Sequence, residues 1–340
     1  MDRRKLKILA AVVERHINTG EPVGSKSVSN MLDVSISSAT IRSEMALLEE
    51  EGYLQQPHAS AGRVPTALGY HIYIKKIMNP VKLSDEEKQL VDNMLVKEEI
   101  TTGALIDNAV NALAELTGYA AVKLVNIPEF TIITKVEVIP AGKRLYALLM
   151  ITSKGEVINK VCRTHFDLTN EQISVFTDIM NKNLSGLKIP ELDAHILKNI
   201  AAALGGYIFA LSPLLYSIAE LSNELNKSSV EIKGGTKLFD DPDIDSHELL
   251  RLFAQKDTLT SILQSSLNGI NVVFGKEKDE FLVTNSSLIL AKYTESGVPN
   301  PFGILGPMRI DYAKIIPYVD YFAENITNAI AKMTEDKENE

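Results

Sequence analysis

The chain has 340 residues, of which 45% are hydrophobic and 23% are charged. This length allows two or three domains with their own cores, and the composition is ordinary for a soluble globular protein. The single cysteine, Cys162, excludes an internal disulfide framework and a cysteine-rich zinc site, and it favours a reducing cytoplasm. No small-residue cleavage site follows the short apolar run at the N-terminus, so we expect no signal peptide.

Charge is distributed unevenly along the chain. The formal net charge is −9, but residues 1–80 contain ten Lys and Arg against eight Asp and Glu, a balance of +2. The remaining residues then carry −11. We therefore expect an anionic partner to bind the N-terminal quarter, while the acidic remainder disfavours unspecific binding elsewhere.

The first eighty residues predict three helices, a small hairpin and a closing helix. Apolar periodicity places the helices over residues 2–18, 25–32 and 38–51, with Ser25 and Ser37 as N-caps of the second and third. Ile41, Met45 and Leu48 form the buried stripe of the third helix. The runs "YLQQ" and "GRVPT" are expected to pair as short strands, and "TALGYHIYIKKIM" to close the domain as a helix.

The rest of the chain predicts an α/β domain split by an insertion. A capping box, Ser84 with Glu87, begins a helix over 84–97, and a second helix covers 101–117. Strand-like runs lie over 119–127, 131–139, 143–152 and 156–163, before a helix near 169–183. Residues 187–268 are mostly helical. Strands then return, a helix follows, and the acidic tail is expected to be disordered.

Residues 200–219 carry no charge, so their length alone would permit a membrane span. Gly205, Gly206 and Pro213 interrupt the run, and no basic cluster flanks it. We expect a helical core or a subunit interface here, and no membrane partner.

Three helices followed by a hairpin are typical of the winged helix-turn-helix class, in which the third helix enters the DNA major groove. With its apolar stripe buried, the start of that helix exposes hydroxyl groups and one guanidinium, which suit phosphates and base edges. The acidic run Glu49–Glu51 is expected to point away from DNA. A plain three-helix domain with solvated charges is the structural alternative. The expected DNA contacts on this helix are Ser37, Ser38, Thr40, Arg42 and Ser43.

The loop and the N-terminus add further expected contacts. In "PHASAGRVPT", residues 57–66, small residues allow a close backbone approach, and Arg63 suits a narrow minor groove, with Ser60 beside it. Arg3, Arg4 and Lys5 are cationic and are expected to contact the DNA backbone.

Motifs for catalysis or metal binding fail on spacing. "GINVVFGKE" has one residue too many between Gly269 and Gly275 for a phosphate loop, and Glu277 follows its lysine. Asp241, Asp243 and Asp245 have calcium-loop spacing, but the glycine and the final glutamate of that loop are missing, so an acidic helix N-cap explains them better. We therefore predict no enzyme activity, no cofactor and no metal.

Two runs, "SSATIRSEMALLEEEGYL" and "SAGRVPTALGY", closely resemble the N-terminal domain of HrcA, the heat-inducible transcription repressor family. The later "GILGPMRIDY" resembles that family's C-terminal segment, and the order of elements matches over nearly the whole chain.

This resemblance implies an α+β multidomain protein: a winged helix-turn-helix domain and a GAF-like domain interrupted by an inserted dimerisation domain. It also implies a cytoplasmic homodimer that represses chaperone operons by binding double-stranded DNA at a CIRCE-type inverted repeat, with the GroEL chaperonin as a partner. The uncharged stretch over residues 200–219 is expected to suit the dimer interface, so a charged substitution such as Leu211→Glu is expected to disrupt the dimer. The alternative function is a regulator whose GAF-like domain senses a small molecule.

The predicted boundaries are 1–78 for the winged helix, 84–186 with 269–334 for the GAF-like domain, 187–268 for the insertion and 335–340 for a disordered tail.

Overall fold

Helices and antiparallel sheets both contribute to the fold in the computed structural model, which describes residues 1–32, 36–95, 101–125, 131–153, 155–225, 228–275, 283–295 and 297–338. The chain divides into two units. The first comprises Met1–Val96, Asn108–Lys123 and Val230–Glu340, and the second comprises Lys97–Asp107 and Leu124–Ser229.

The predicted order of three helices, a hairpin and a closing helix is confirmed at the start of the first unit. These elements are α1 (Arg3–Thr19), α2 (Ser25–Met31), α3 (Ser38–Glu50), β1 (Leu54–Gln55), β2 (Val64–Pro65) and α4 (Ala67–Lys76). The two strands pair antiparallel. Their shared core comes from the apolar stripes, including Leu9 and Val12 of α1 and Val28 of α2, each of which is fully buried.

The ends of these helices follow from local chemistry. Asp2 caps α1 by accepting the Lys5 amide at 2.8 Å, and Gly20 ends that helix with a left-handed φ of 71°. Ser37 caps α3 as predicted. The cap predicted for α2 is wrong, because Ser25 is already its first helical residue and Gly24 occupies the cap position without a side-chain bond.

A five-stranded sheet, whose buried strands are dominated by aliphatic residues, belongs to the rest of the first unit. The elements are α5 (Asp85–Leu95), α6 (Thr102–Thr117), β3 (Ala120–Val125), β7 (Ser229–Lys233), α10 (Ser246–Ala254), α11 (Asp257–Ser265), β8 (Asn271–Phe274), β9 (Ser286–Glu295), β10 (Val298–Pro307) and α12 (Tyr312–Glu338), of which residues 102–107, 124, 125 and 229 are assigned to the second unit. The strands lie in the order β7-β3-β10-β9-β8, and the long C-terminal helix α12 packs on β9. The capping box of α5 is confirmed by reciprocal bonds between Ser84 and Glu87 of 2.8 and 3.1 Å.

The second unit combines a three-stranded antiparallel sheet with three helices. The elements are β4 (Ile133–Gly142), β5 (Leu145–Thr152), β6 (Val157–Arg163), α7 (Asn170–Leu184), α8 (Ala194–Leu204) and α9 (Ile208–Leu225). One continuous core joins Val136 and Leu148 of the sheet to Phe176 of α7 and Leu214 of α9. The strands and the helices therefore form a single packing unit.

Two predicted boundaries differ from the structure. We placed the insertion at 187–268, where the composition becomes helical, but β4 to β6 share their core with α7 to α9, and residues 230–268 belong to the first unit. Composition marks a change of secondary structure, whereas a unit is defined by which elements bury one another. The disordered tail predicted over residues 335–340 is also corrected in part, because α12 continues to Glu338. Of this tail, residues 339 and 340 lie outside the described residues.

Candidate nucleic-acid interface

Helix α3 begins at a side-chain cap. Ser37 Oγ accepts a hydrogen bond from the Thr40 amide at 3.1 Å and lies 2.9 Å from Thr40 Oγ1. The predicted stripe of Ile41, Met45 and Leu48 is buried beneath the helix. The cap fixes where the helix starts, and the free amides and positive dipole end of such a start favour an anion such as phosphate.

Burial of that stripe leaves one face of α3 open to solvent. Ser38, Arg42 and Ser43 are exposed as predicted, and Ser43 Oγ donates to the Ala39 carbonyl at 3.3 Å. Arg42 has no ion-pair partner among the residues that the structure describes. Its guanidinium is therefore free to bond a base edge or a phosphate.

Two apolar residues on the same face were missed from sequence. Ala39 is exposed, and Leu47 keeps 43% of its surface open. The predicted contacts were all polar or cationic side chains, although apolar side chains recognise the thymine methyl group. Helical spacing was the available signal, since Ala39 lies three residues before Arg42 and Leu47 lies four residues after Ser43.

The basic start of α1 lies beside the acidic residues of α3. Arg4 Nη1 is 3.5 Å from Glu44 Oε1, and Lys5 forms a close ion pair with Glu51 that raises the pKa of the lysine. Arg4 keeps 58% of its side chain exposed, whereas Lys5 keeps only 16%. Arg3 is exposed and has no ion-pair partner in the described ranges. Among these three predicted contacts, Arg3 is therefore the freest to meet a phosphate.

The hairpin ends in an exposed tip. Strand residues Leu54 and Gln55 pair with Pro65 and Val64, and the Gln56 amide closes the loop by donating to the carbonyls of residues 59 and 61 at 3.0 and 2.9 Å. Ser60 is exposed at this tip, in agreement with its predicted role. His58 is exposed beside it and was missed, although an imidazole at a loop tip is a ready hydrogen-bonding group.

Arg63 lies at the base of the hairpin loop, directly before β2, rather than at the tip of the loop. Its backbone exchanges two hydrogen bonds with Val23, each of 2.9 Å. Its Nε lies 2.8 Å from Glu49 Oε2 of α3, an ion-pair contact without hydrogen-bond geometry at Nε, and 19% of its side chain is exposed. The residue is therefore held on both its backbone and its side chain.

A cleft of about 520 Å³ opens on the other side of the hairpin. His16, Gln55 and Tyr70 line it together with Asp243 and Arg309, which pair closely with each other. Tyr70 is 1% exposed, and its hydroxyl has no hydrogen-bond partner in the described chain. Burial raises the pKa of Tyr70 and lowers that of His16, so both are neutral at pH 7.

The second unit exposes an aromatic surface on α9. Phe209 is 74% exposed and Tyr216 is 71% exposed, and the two are seven residues apart on one side of the helix. Phe166 stacks on Phe209 with ring centroids 6.2 Å apart. Leu211 is fully buried, so a charge there would test the core and not an interface, and the interface expected over residues 200–219 stays a prediction. Leu211 points into the unit's own core, and the open side of the helix carries the aromatic rings instead.

One helical stretch in the described chain, Ala194–Ser222, is long and apolar enough to cross a membrane by length and composition. One such stretch is weak evidence, since a core helix passes the same test. Much of its apolar character is used in the core formed with the sheet of the second unit.

The described acidic residues that resembled a calcium loop have structural partners. Asp245 caps α10 by accepting the amides of His247 and Glu248 at 2.8 and 3.0 Å, as the N-cap interpretation predicted. Asp241 and Asp243 both pair with Arg309. The phosphate-loop lysine and Glu277 lie outside the described residues. No group of metal-ligating side chains occurs among the residues that were described.

Helices and antiparallel sheets in two units make this a mixed α+β protein. A family model described as the HrcA protein C terminal domain matches residues 103–316. Heat-inducible transcription repressors HrcA from Desulforudis audaxviator and Carboxydothermus hydrogenoformans are 32% and 31% identical to the chain, covering 98% and 97% of it and 99% and 98% of their own lengths. The relative of the same description from Acetivibrio thermocellus is 29% identical over 98% of this chain and 97% of its own.

Among solved structures, a crystal structure of a hypothetical protein covers 98% of this chain and 99% of its own, with a TM-score of 0.62 and 23% sequence identity. That likeness supports the fold alone. The family model and these relatives show that the chain belongs to the HrcA family.

Proposed function

We propose that the protein represses transcription of heat-inducible genes by binding double-stranded DNA through a winged helix-turn-helix formed by α1 to α4 and the hairpin. The observation that carries this proposal is the open face of α3, where the unpaired Arg42 and the hydroxyls of Ser38 and Ser43 follow a capped helix start. The relatives are named as heat-inducible transcription repressors, which fits this chemistry.

In this proposal α3 lies in the major groove. Arg42 pairs with a guanine edge, Ser38 and Ser43 bond phosphates or bases, and the helix start faces a phosphate together with Ser37 and Thr40. Arg3 and Arg4, whose side chain is largely exposed, contact the DNA backbone. Lys5 is more buried and adds a third cationic group at the same place. The hairpin tip, with Ser60, reaches a neighbouring groove.

We further propose that the protein is a homodimer in the cytoplasm that binds a CIRCE-type inverted repeat. Two-fold symmetry of a dimer requires two half-sites related by an inverted repeat. The exposed rings of Phe209 and Tyr216 form an apolar surface of the kind that a second copy covers. The resemblance supports a GAF-like fold around the five-stranded sheet, the second unit as its inserted dimerisation domain, and the GroEL chaperonin as a partner. The proposal requires no cofactor and no catalysis.

A nuclease footprint on the promoter of the chaperonin operon from the same genome tests this function. We expect protection of an inverted repeat, with both half-sites covered at one protein concentration. A random duplex of equal length is the control. Equal affinity for the promoter and the random duplex would contradict the proposal.

The cleft beside the hairpin favours a second candidate function, a regulator that senses a small molecule. Its wall combines β1 and β2 with Asp243 and Arg309, and it includes the buried, unpartnered hydroxyl of Tyr70. A ligand in the cleft would touch the hairpin directly. Titration with candidate metabolites tests this function, since a bound ligand raises the melting temperature with concentration. Tyr70→Phe should weaken that response, and a flat response to every metabolite would count against it.

A further inference from the structure

The Arg63 side chain is turned toward the body of the N-terminal region. Its Nε lies 2.8 Å from Glu49 Oε2, and 19% of the Arg63 side chain and 34% of the Glu49 side chain remain exposed. Partial burial makes this pair less screened by salt than a fully solvated pair. The pair joins the base of the hairpin loop to the C-terminal half of α3.

Backbone hydrogen bonds also fix Arg63. Arg63 N donates to the Val23 carbonyl, and Val23 N donates to the Arg63 carbonyl, both at 2.9 Å. The preceding Gly62 lies so close to Val23 that a Cβ on it would sit 2.4 Å from the Val23 carbonyl oxygen. The base of the hairpin loop thus packs against the connection between α1 and α2, and the ion pair adds a contact to α3.

Two other regions of the candidate interface are more exposed than Arg63. Arg42 is exposed on α3 and has no ion-pair partner among described residues. At the hairpin tip, His58 and Ser60 are exposed. These groups are open to DNA, whereas the Nε side of the Arg63 guanidinium is occupied by Glu49 and only 19% of the side chain is exposed.

We propose that Arg63 is a positioning residue. Its ion pair with Glu49 holds the hairpin at a set distance from α3, so that the tip and the Arg42 face meet DNA together. His58 and Ser60 then supply the hairpin contact. This inference rests on the proposed function, and it replaces a groove contact by Arg63.

The two roles of Arg63 predict opposite effects of Glu49→Gln. If Arg63 contacts DNA, removing Glu49 frees the arginine and removes a negative charge near the phosphates, so affinity rises or stays the same. If Arg63 positions the hairpin, removing Glu49 loosens the hairpin and affinity falls. Glu50→Gln is the matched control, because Glu50 is an exposed neighbouring acid on α3.

The experiment measures affinity for the duplex protected in the footprint at several salt concentrations. We expect Glu49→Gln and Arg63→Gln each to weaken binding roughly 3- to 10-fold, and the double variant to be no weaker than either single variant, because the pair acts as one unit. Glu50→Gln should not weaken binding. Glu49→Gln should leave the slope of log affinity against log salt concentration unchanged, because no phosphate contact is lost.

Amide exchange in the DNA-free protein provides the second readout. Glu49→Gln should speed exchange at the amides of Val23 and Arg63 roughly 3- to 10-fold, while the amides of α12 keep their rates. Glu49→Asp, which keeps the charge but shortens the side chain, should give a smaller effect of the same sign and serves if the glutamine variant does not fold.

The outcomes separate the two proposals. Binding by Glu49→Gln as tight as wild type, or unchanged exchange at Val23 and Arg63, would overturn the positioning role. A wild-type protein that protects no duplex would instead overturn the proposed function, and the exchange measurement would still decide whether Glu49 holds the hairpin.

Discussion

The open face of α3 and the open face of α9 are both solvent-exposed helix surfaces, but their chemistry differs. The α3 face carries Arg42 and hydroxyl groups, whereas the α9 face carries the rings of Phe209 and Tyr216. Polar and cationic groups favour a phosphate-rich partner whose binding weakens with salt. Exposed aromatic rings favour an apolar protein surface. The two faces therefore suit different kinds of partner.

The largest expected effect is a difference in stability between a charge placed on the buried side of α9 and one placed on its open side. Leu211→Glu places a charge in the core of the second unit and should lower the free energy of unfolding by about 4 kcal/mol. Chemical denaturation measures this change. Phe209→Glu on the exposed side should unfold at nearly the wild-type denaturant concentration. Similar destabilisation by both variants would contradict the assignment of the two sides.

The next effect tests what covers the open side of α9. Phe209→Glu with Tyr216→Glu should weaken self-association by a factor of about 30, because exposed aromatic anchors carry much of an interface's energy. Sedimentation over a concentration series measures this. Leu250→Glu is the control, since Leu250 is an exposed leucine on α10 of the other unit. If the double variant stays as dimeric as wild type, a different surface joins the copies.

On the α3 face, Arg42→Ala should reduce specific DNA binding by about 1–3 kcal/mol if the guanidinium reads a base. Binding to a random duplex should fall much less. Titration of both duplexes at one salt concentration measures the difference. Equal losses on the two duplexes would mean that Arg42 contacts only phosphate.

The smallest expected effect lies at the start of the same helix. Ser37→Ala removes the side-chain acceptor for the Thr40 amide and should lower the free energy of unfolding by about 1 kcal/mol. Ser37→Asp retains an acceptor and should remain near wild type in thermal unfolding. An unchanged stability of the alanine variant would show that the cap adds little in this context.

Most elements of the fold were predictable, since each depends on neighbours in sequence. The buried stripe of α3, the caps at Ser37 and Ser84 and the strands over residues 119–163 all follow from local periodicity and local hydrogen bonds. The direction of α9 was not predictable. Residues 200–219 are uncharged throughout, so no polar side marks which residues face outward, and Leu211, where a charge was expected to disrupt the dimer, is buried in the core.

The candidate site shows the same division. Helical periodicity was sufficient to predict that Arg42 and Ser43 lie outside the buried stripe of α3, because a helix period relates residues three and four apart. The pairing of Arg4, Lys5 and Arg63 with Glu44, Glu51 and Glu49 was visible only in the folded chain, as was the core that the strands of the second unit share with its helices. These contacts join residues far apart along the chain, and no local pattern encodes which distant partner a charge or an apolar face will find.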